Sequence, residues 1–574
     1  MATAGEALAA GVVFTIPALV LLDYWKDFDY VWVTIIAGVG GFLGILFIIP
    51  LRRAFIVQDK LTYPEGIATA EVLKAGQSGG SNVLYITAAA VAGGLFKLAA
   101  EGLRLWSGVF EAARRVGGTL VYFSSNLSPA LLSVGYIVGL NIAVLMFMGG
   151  LVNWFVAIPI CAAWHDWPVV DGQPMSAAQL AHQLWSAKTR YIGVGGMLVG
   201  GLWTLIKLRS SLVRGVSAGL QAYRKVGGQQ VEISRTEKDV PMKWVLILII
   251  FSVVPLFLLY QTFVGRVSVS LPMAFIMLIT GFLFSAVAGY MAGLVGSSNN
   301  PISGVTIATV VVSGLILVLL MGSGAQNGPV AVIIIASVVC CAAAMAGDIM
   351  QDLKTGYLVG STPWKQQLAM AAGGLPAAFL MAPILTLLYK AYGFAGHSSA
   401  KDNPLIAAQA NLIASVSKGV FKGELPWGFI LIGAAMAVAV IILDQYLARR
   451  GSTFRTPVLA VAIGIYLPFE LEVPIIIGGI IQQTAVWYQR RKRLAGDVVE
   501  TANRHGLLLA AGLITGEALI GIVLAIPIVL AGKADVLAIF NKPFGALPGI
   551  ILLIGITYWL YRVACGPKAS SRTG

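Results

Sequence analysis

Long apolar runs dominate the pattern of hydrophobic and polar positions along this chain. Runs of about 20 residues recur from end to end and are separated by short polar links. An α-helix needs this length to cross the hydrocarbon core of a bilayer. We therefore predict an all-α polytopic membrane protein without a large soluble domain, with about 14–16 transmembrane or re-entrant elements and internal repeats. The candidate spans are 4–22, 31–50, 82–103, 130–148, 149–164, 191–208, 243–263, 270–295, 301–322, 328–347, 370–390, 427–447, 456–485, 507–531 and 544–564.

One of these runs, 456–485, has a polar centre. It contains Pro468 and Pro474, with Glu470 and Glu472 between them. Proline removes a helix donor and clashes with a preceding carbonyl group, so we expect the helix to break here. Broken apolar helices with acidic residues at the break form ion and substrate sites in secondary transporters. The alternative is two ordinary helices joined by a surface loop that carries solvated glutamates.

The composition and charge agree with a membrane protein. Of the 574 residues, 58% are hydrophobic and 11% are charged, whereas soluble domains carry about 25% charged residues. The formal net charge is +14, but Lys and Arg cluster in the links, as in cytoplasmic loops beside anionic lipid. We therefore expect no nucleic-acid partner. The four cysteines and four histidines show no metal-ligand spacing, so we expect no metal site and no cofactor.

The distribution of basic residues predicts the domains and their orientation. The link between Lys207 and Lys243 is strongly basic, and the positive-inside rule places it in the cytoplasm together with the C-terminus. Basic clusters on both sides of 456–485 are cytoplasmic by the same rule, so this run has to enter the membrane and return. In chain order we predict an N-terminal transmembrane bundle at 1–208, a cytoplasmic basic linker at 209–242, and a C-terminal transmembrane bundle at 243–574 with a broken or re-entrant element at 456–485.

An internal repeat places an acidic residue inside two apolar runs. The sequence GEAL at Gly5 leads through an apolar run to Ile-Pro, and GEAL at Gly516 does the same. Glu6 and Glu517 must each find a partner or stay protonated, and this makes them the leading candidates for proton carriers. A broken segment precedes only the second copy. We therefore expect that the printed start lies inside a longer gene or that the ancestral first element was lost.

A turn at a helix start follows the second span. Its Tyr-Pro-Glu-Gly sequence leads into an Ala-rich run, and free backbone amides at such a start favour an anion. The alternative is a capped interfacial helix. The residues of this motif are Arg52, Arg53, Tyr63, Pro64, Glu65 and Gly66.

A polar island separates two later apolar runs. It contains Asn299, Asn300, Pro301, Ser303 and Gly304. Its amides and hydroxyls are suited to hold peptide carbonyl or carboxylate groups at a half-helix end. Asn and Ser before a proline are also typical of a plain helix start at the membrane surface, so both interpretations stay open.

Two more carboxylates, Asp348 and Asp352, follow an apolar span. They are four residues apart and therefore lie on one face of a helix, with Lys354 close enough to pair with either. A proton or substrate site and a solvated cytoplasmic face explain this pattern equally well.

Motifs of enzymes and ATP-driven motors are absent from the sequence. We find no GxxxxGK[ST], HExxH, GxSxG or CxxC. The pattern therefore indicates a transporter and not an enzyme, driven by something other than ATP bound to this chain.

Several blocks of the sequence resemble the oligopeptide transporter (OPT) family, in its prokaryotic branch, which is related to the yellow-stripe-like metal-chelate transporters. They are PLRRAFIVQDKLTYPEGIATAEVLKAG, SNLSPALLSVGYIVGL, RYIGVGGMLVGGLWTL, NNPISGVTI, AGDIMQDLKTGYLVGSTPW, and IGIYLPFELEVPIIIGG followed by HGLLLAAGLITGEAL. The resemblance implies a secondary active transporter of the plasma membrane, usually proton-coupled, for small peptides or metals bound to peptide-like chelators. The resemblance also implies two further spans before GEALAAGVVFTIPAL, and we expect that the printed sequence lacks them.

We expect a symporter that imports small oligopeptides, with metal-chelate uptake as the alternative and a passive channel as a third reading. The partners are then the substrate, protons and the bilayer, and a homodimer is one option for the oligomeric state. The expected substrate-binding residues are Asn299, Asn300, Ser303, Tyr466, Glu470 and Glu472. The expected proton-coupling residues are Glu6, Glu517, Asp348 and Asp352.

Overall fold

The computed structural model confirms an all-α polytopic membrane protein. It describes residues 2–78, 81–164, 167–170, 173–203, 206, 234–297, 300, 302–394, 398, 407–422, 425–452, 454–531, 536–540 and 543–566. Within these residues, 12 helices are long and apolar enough to cross a membrane. In chain order the helices are α1 (Ala2–Thr15), α2 (Pro17–Leu21), α3 (Tyr30–Arg52), α4 (Pro64–Ser78), α5 (Ser81–Lys97), α6 (Pro129–Val138), α7 (Leu140–Leu151), α8 (Ile158–Ala163), α9 (Ala177–Leu184), α10 (190–203), α11 (Met242–Phe251), α12 (Val253–Val264), α13 (Val267–Val295), α14 (Ile302–Met321), α15 (Gly328–Val359), α16 (Pro363–Tyr392), α17 (Ala408–Lys422), α18 (Trp427–Arg449), α19 (Val458–Tyr466), α20 (Phe469–Arg491), α21 (Gly496–Ala531) and α22 (Leu547–Ala564).

Short segments of other structure adjoin these helices. Four π-helical turns extend or precede α-helices at Arg53–Gln58, Leu98–Gly102, Val152–Ala157 and Trp185–Thr189. Strands β1 (Val109–Val116) and β2 (Thr119–Asn126) form an antiparallel hairpin that pairs Val109 with Asn126 and Val116 with Thr119, and β3 (Val169–Val170) and β4 (Gln173–Pro174) form a smaller one.

The helices group into two compact units. Unit 1 consists of Met1–Leu61, Val194–Gly293 and Ser297–Val438, and unit 2 of Thr62–Gly193, Leu294–Gly296 and Ala439–Gly574. Both units draw residues from either side of the 209–242 link. Each unit therefore combines helices that are distant in sequence but pack together.

Unit 1 is built around α15. Nearly all of this helix from Gly328 to Gly356 is buried, and α1, α3 and α14 pack along it. Glycines on the neighbouring helices permit this close approach: a Cβ at Gly44 would lie 2.5 Å from the Ala342 carbonyl oxygen. Small residues at helix contacts are typical of membrane bundles, where packing replaces the hydrophobic effect between helices.

Unit 2 packs α21 along α5 and surrounds the pair with α4, α6 and α22. Its β1–β2 hairpin lies against α20, α8 and α9. Leu120 and Tyr122 of β2 are buried in a cluster with Trp154, Ile158 and Phe469. The hairpin thus covers the beginning of α20.

Some predicted boundaries are wrong. The predicted division at 148 and 149 is absent, because α7, the π-helical turn and α8 run on from Leu140 to Ala163. The chain breaks instead at Gly139, which has a φ of 89° that other residues rarely adopt. The predicted span 328–347 continues as α15 to Val359.

Candidate functional site

The run 456–485 is broken once, between α19 and α20. Tyr466 ends α19, Leu467 and Pro468 are extended, and Phe469 begins α20. The expected second break at Pro474 is absent, because this residue lies inside α20. A proline within a helix leaves one carbonyl without its usual donor, and packed neighbours in a membrane bundle tolerate this.

The chain reverses direction at this break. Asn141 donates to the carbonyl of Arg455 (3.4 Å) and Asn153 to that of Ile465 (2.6 Å), so α19 runs parallel to α7 and the π-helical turn that extends it. On α20 the order is opposite: Glu472 contacts Gly150, and Gly479 contacts Leu140. The helices α19 and α20 therefore form a hairpin beside α7, with its turn at Leu467–Pro468.

Three side chains bind the carbonyl groups that the break leaves without helical partners. Asn153 Nδ2 donates to Ile465 (2.6 Å), Trp185 Nε1 to Tyr466 (3.1 Å) and Trp154 Nε1 to Leu467 (3.3 Å). We call Asn153, Trp154 and Trp185 the carbonyl clamp. All three lie on π-helical turns, which recur at functional sites. The clamp satisfies a helix end that water cannot reach.

Glu472 is the most isolated acidic residue of the site. Its side chain is fully buried, and neither carboxylate oxygen has a hydrogen-bond partner among the described residues. It packs against Gly150, where any side chain would overlap the carboxylate. An ionised carboxyl group in such a place is costly without a partner. Glu472 is therefore suited to bind and release a proton or to meet a cationic group.

Glu470 lies on another side of the same helix turn. It is partly buried and feels the charges of His182 and Glu111. Tyr122 donates to Glu111 Oε1 (2.9 Å), and His182 Nε2 lies 3.0 Å from this hydroxyl and 3.2 Å from Glu111 Oε1. Burial raises the pKa of Tyr122 well above its usual range, so the hydroxyl stays protonated and acts as a donor. Four polar side chains thus gather at the start of α20.

Glu517, on α21 of the same unit, has several partners. Its carboxylate accepts hydrogen bonds from the Ser128 hydroxyl (2.9 Å) and the Ala130 N–H (2.8 Å). Lys97 lies 3.8 Å away and also pairs with Glu101. These contacts place a negative charge at the N-terminus of α6, where the helix dipole favours it.

The acidic candidates of unit 1 have different surroundings. Glu6 lies on α1 and is exposed. Asp348 and Asp352 lie within α15, where both are partly buried, and Asp352 bonds to the Thr3 side chain. The expected pairing of Lys354 with either aspartate is wrong, because its Nζ donates to the Leu61 carbonyl (2.8 Å).

The polar island is described only in part. Asn300 is buried, and its Nδ2 donates to the Ala288 carbonyl (3.1 Å), while its Oδ1 has no partner among the described residues. Gly304 lies in α14. Asn299, Pro301 and the side chain of Ser303 fall outside the described residues.

The motif after the second span is spread over both units. In unit 1 the buried Arg52 binds Asp239 with two hydrogen bonds (2.6 and 2.7 Å), and Arg53 lies 3.9 Å from Glu237.

In unit 2, Tyr63 is buried with a φ of 52°. Pro64 starts α4, and Glu65 and Gly66 lie in its first turn. The carboxylate of Glu65 lies against Gly296.

Sequence reasoning missed the residues that hold the break from outside it. Asn153, Trp154 and Trp185 come from distant parts of the chain, and no motif connects them to the prolines. The signal that would have identified Asn153 is its amide within an apolar run. His182 and Glu111 lie on an amphipathic helix and a hairpin that the span pattern does not predict.

Comparison with known proteins agrees with this architecture. The family model described as "OPT oligopeptide transporter protein" matches residues 1–528. A Haemophilus influenzae protein named "Putative oligopeptide transporter" is 35% identical over 542 residues, covering 90% of this chain and 84% of that protein. A metal-nicotianamine transporter of Arabidopsis thaliana is 22% identical over 532 residues, covering 85% of this chain and 72% of that protein. This chain is a multi-pass membrane transporter, not an enzyme, and belongs to the oligopeptide transporter family.

Proposed function

We propose that this transporter is a proton-driven symporter that imports small oligopeptides across the cytoplasmic membrane. Its likeness to the Haemophilus protein, at 35% identity, supports the peptide as substrate, since the metal-nicotianamine transporters are more distant at 22–24%. Secondary transporters place substrate and ion sites at broken helices, and the α19–α20 hairpin is such an element.

Glu472 is the observation that carries the proposal of proton coupling. It is fully buried and unpaired among the described residues, beside the break in an apolar helix. In the proposed cycle it takes up a proton from the outer side, is neutral while buried, and releases the proton on the inner side. The inward proton gradient then drives the peptide through alternating exposure of its site.

The other candidate residues keep the roles that the sequence suggests. In unit 2, Tyr466 and Glu470 flank the turn and are proposed to contact the substrate. In unit 1 the buried amide of Asn300 has an unused acceptor, which suits a peptide N–H. Asn299 and Ser303 stay proposed ligands beside it.

The coupling candidates differ in their contacts. Glu517 is bound by a hydroxyl, a backbone N–H and a nearby lysine, so its charge is already stabilised. Glu6, Asp348 and Asp352 stay proposed coupling residues in unit 1. We rank Glu472 first because it alone of these is both fully buried and without a partner in the described part of the chain.

Uptake of a metal chelate is the second candidate function. It is favoured by the metal-nicotianamine transporters of Oryza sativa and Arabidopsis thaliana among the relatives. Within the described residues, no three His, Cys, Asp or Glu side chains gather as a metal site. The protein would then bind the chelator and leave the metal in it.

Uptake into proteoliposomes tests the proposed function. The purified chain is reconstituted, an inward proton gradient is imposed, and di- to hexapeptides are offered together with iron-loaded nicotianamine. The accumulated species are identified by mass spectrometry. We expect peptides to accumulate and a protonophore to prevent it. Accumulation of the iron complex alone would favour the second candidate, and uptake that never exceeds equilibrium would indicate a passive channel.

A further inference from the structure

Arg190 is a buried arginine for which the described part of the chain supplies no hydrogen-bond or ion-pair partner. The residue is 4% exposed, and its Nε has no hydrogen bond. No carboxylate among the described residues lies within ion-pair distance of its guanidinium group. The contact that the structure does show is with the ring of Trp185, at 5.5 Å from the guanidinium carbon to the ring centroid.

Among the described residues, the other deeply buried arginine has a carboxylate partner. Arg52 is 1% exposed and forms a two-pronged hydrogen-bonded pair with Asp239. Buried charges in proteins are almost always paired, and those inside a membrane mark substrate or ion pathways. A buried guanidinium group without an ion-pair partner therefore calls for an anion that the described part of the chain does not provide.

Arg190 lies beside the break at the end of α19. It follows the π-helical turn Trp185–Thr189 and begins α10. Trp185, on one side, donates to the Tyr466 carbonyl, and Gly193, one turn further on, packs so closely that a Cβ there would lie 2.7 Å from the Tyr466 Cβ. The guanidinium group thus lies over Trp185, whose indole donates to the carbonyl of Tyr466, a proposed substrate contact.

The residue before Arg190 also has an unused polar group. Thr189 is fully buried, and its hydroxyl has no hydrogen-bond partner among the described residues. A carboxylate accepts up to four hydrogen bonds. Arginine presents its N–H groups as a planar fork that matches both carboxylate oxygens.

We propose that Arg190 binds a carboxylate group of the transported substrate. The inference rests on the proposed function and names the part of the substrate that this site recognises. In a peptide the carboxylate is the C-terminus, and a carboxylate-bearing chelate offers the same chemistry. The charge of Arg190 is then paired only in the substrate-bound state, which makes a free carboxylate a requirement for tight binding.

The test compares two ligands that differ only in this group. Thermal stabilisation of the purified, detergent-solubilised chain is measured with trialanine and with trialanine amide, and separately with iron-loaded nicotianamine. The variants are Arg190→Gln, which removes the charge, and Arg190→Lys, which keeps the charge but loses the fork. Arg114→Gln is the matched control, since Arg114 is an exposed arginine of the same unit.

We expect the wild-type protein to bind trialanine about tenfold or more tightly than the amide, the usual value of a hydrogen-bonded charge pair. Arg190→Gln should bind both peptides equally weakly, Arg190→Lys should be intermediate, and Arg114→Gln should behave as the wild type. Stabilisation of the wild type, but not of Arg190→Gln, by iron-loaded nicotianamine alone would support the same site with the chelate as the source of the carboxylate.

Equal affinity of the wild type for trialanine and its amide would overturn the peptide assignment. Stabilisation of Arg190→Gln by trialanine or by the chelate to the wild-type degree, or the absence of any stabilisation of the wild type, would overturn the site itself. If Arg190→Gln does not fold, the site is tested with Arg190→Lys and with the comparison of trialanine and its amide in the wild type. Carboxylate-dependent binding without proton-driven uptake would support this site and contradict the proposed function. Proton-driven uptake that is equal for trialanine and its amide would support the proposed function and contradict this site.

Discussion

Glu472 offers a sharp test of coupling at the scale of single residues. Glu472→Gln replaces the carboxyl group with an amide of nearly the same shape that neither binds nor releases a proton. We expect the variant to lose uphill accumulation under an imposed proton gradient and to keep the exchange of pre-loaded substrate, because the site itself is intact. The measurement is the same proteoliposome uptake, run as accumulation and as exchange.

Glu500→Gln is the control for this variant, since Glu500 is an exposed carboxylate on α21 of the same unit. It should accumulate substrate as the wild type does. Undiminished uphill uptake by Glu472→Gln would exclude this residue from the coupling mechanism. It would favour one of the acidic residues that have partners as the coupling residue.

Glu517 invites a different prediction because its contacts are those of a structural carboxylate. Glu517→Gln keeps an acceptor for the Ala130 N–H but loses the charge that faces Lys97 and the N-terminus of α6. We expect a loss of about 1.5–3 kcal/mol in stability, the value of hydrogen bonds to a charged group, seen as a lower melting temperature. Glu101→Gln, which removes the more exposed partner of Lys97, should cost less. An unchanged melting temperature with abolished accumulation would instead make Glu517 the coupling residue.

The turn between α19 and α20 is the element whose stability the carbonyl clamp controls. Asn153→Leu removes the donor of the 2.6 Å hydrogen bond and leaves the Ile465 carbonyl buried without that partner. We expect a cost of about 1–3 kcal/mol, the penalty for an unsatisfied buried polar group. Asn141→Leu is the matched control, because the hydrogen bond of Asn141 to Arg455 is long at 3.4 Å.

Thermal unfolding in detergent measures both asparagine variants. A smaller loss for Asn153→Leu than for Asn141→Leu would mean that the turn holds its shape without the clamp. Slower substrate exchange in the folded Asn153→Leu protein would further tie the clamp to the transport cycle.

The sequence predicts a feature of these elements when its cause lies in the element's own residues, and not when its cause is a contact with residues distant in the chain. Pro468 breaks the helix through its own ring, so the break is predictable from one residue. Pro474 also lacks an N–H, but packing of α20 against α6 and α7 keeps the helix continuous there, and neighbours in space decide that outcome. Gly139 breaks an apolar run that contains no proline, and only its φ of 89° reveals why.

The candidate site was predictable to a similar extent. Carboxylates within apolar runs are visible in the sequence, and Glu472 is expected in this way, although as a substrate ligand. Which carboxylate has partners is a question of distant contacts: Ser128 reaches Glu517 across 389 positions, and no local pattern encodes that pairing. The burial of Arg190 is not predictable for the same reason, because the fold brings its neighbour Trp185 against the distant Tyr466.

Orientation in the membrane is a prediction about the whole molecule. The positive-inside rule places the link between Lys207 and Lys243 in the cytoplasm and the link at 164–183 outside. In cells that carry Cys161→Ser, a membrane-impermeant thiol reagent should label Gln183→Cys without permeabilisation and Lys225→Cys only after it. The opposite pattern would invert the topology and, with it, the direction of transport that we propose.

The interleaving of the two units sets an order for making the protein. Helix α5 emerges from the ribosome early, but its partner α21 follows roughly 400 residues later, on the order of a minute at common rates of synthesis. Until then the small-residue face of α5 contacts lipid or other chains in the bilayer. Unit 1 likewise cannot close before Val438 has been made. Translation therefore has to pass residue 438 before unit 1 is complete and to run to the end of the chain before unit 2 is complete, and a membrane chaperone that shields early helices would have to cover α5 for most of that time.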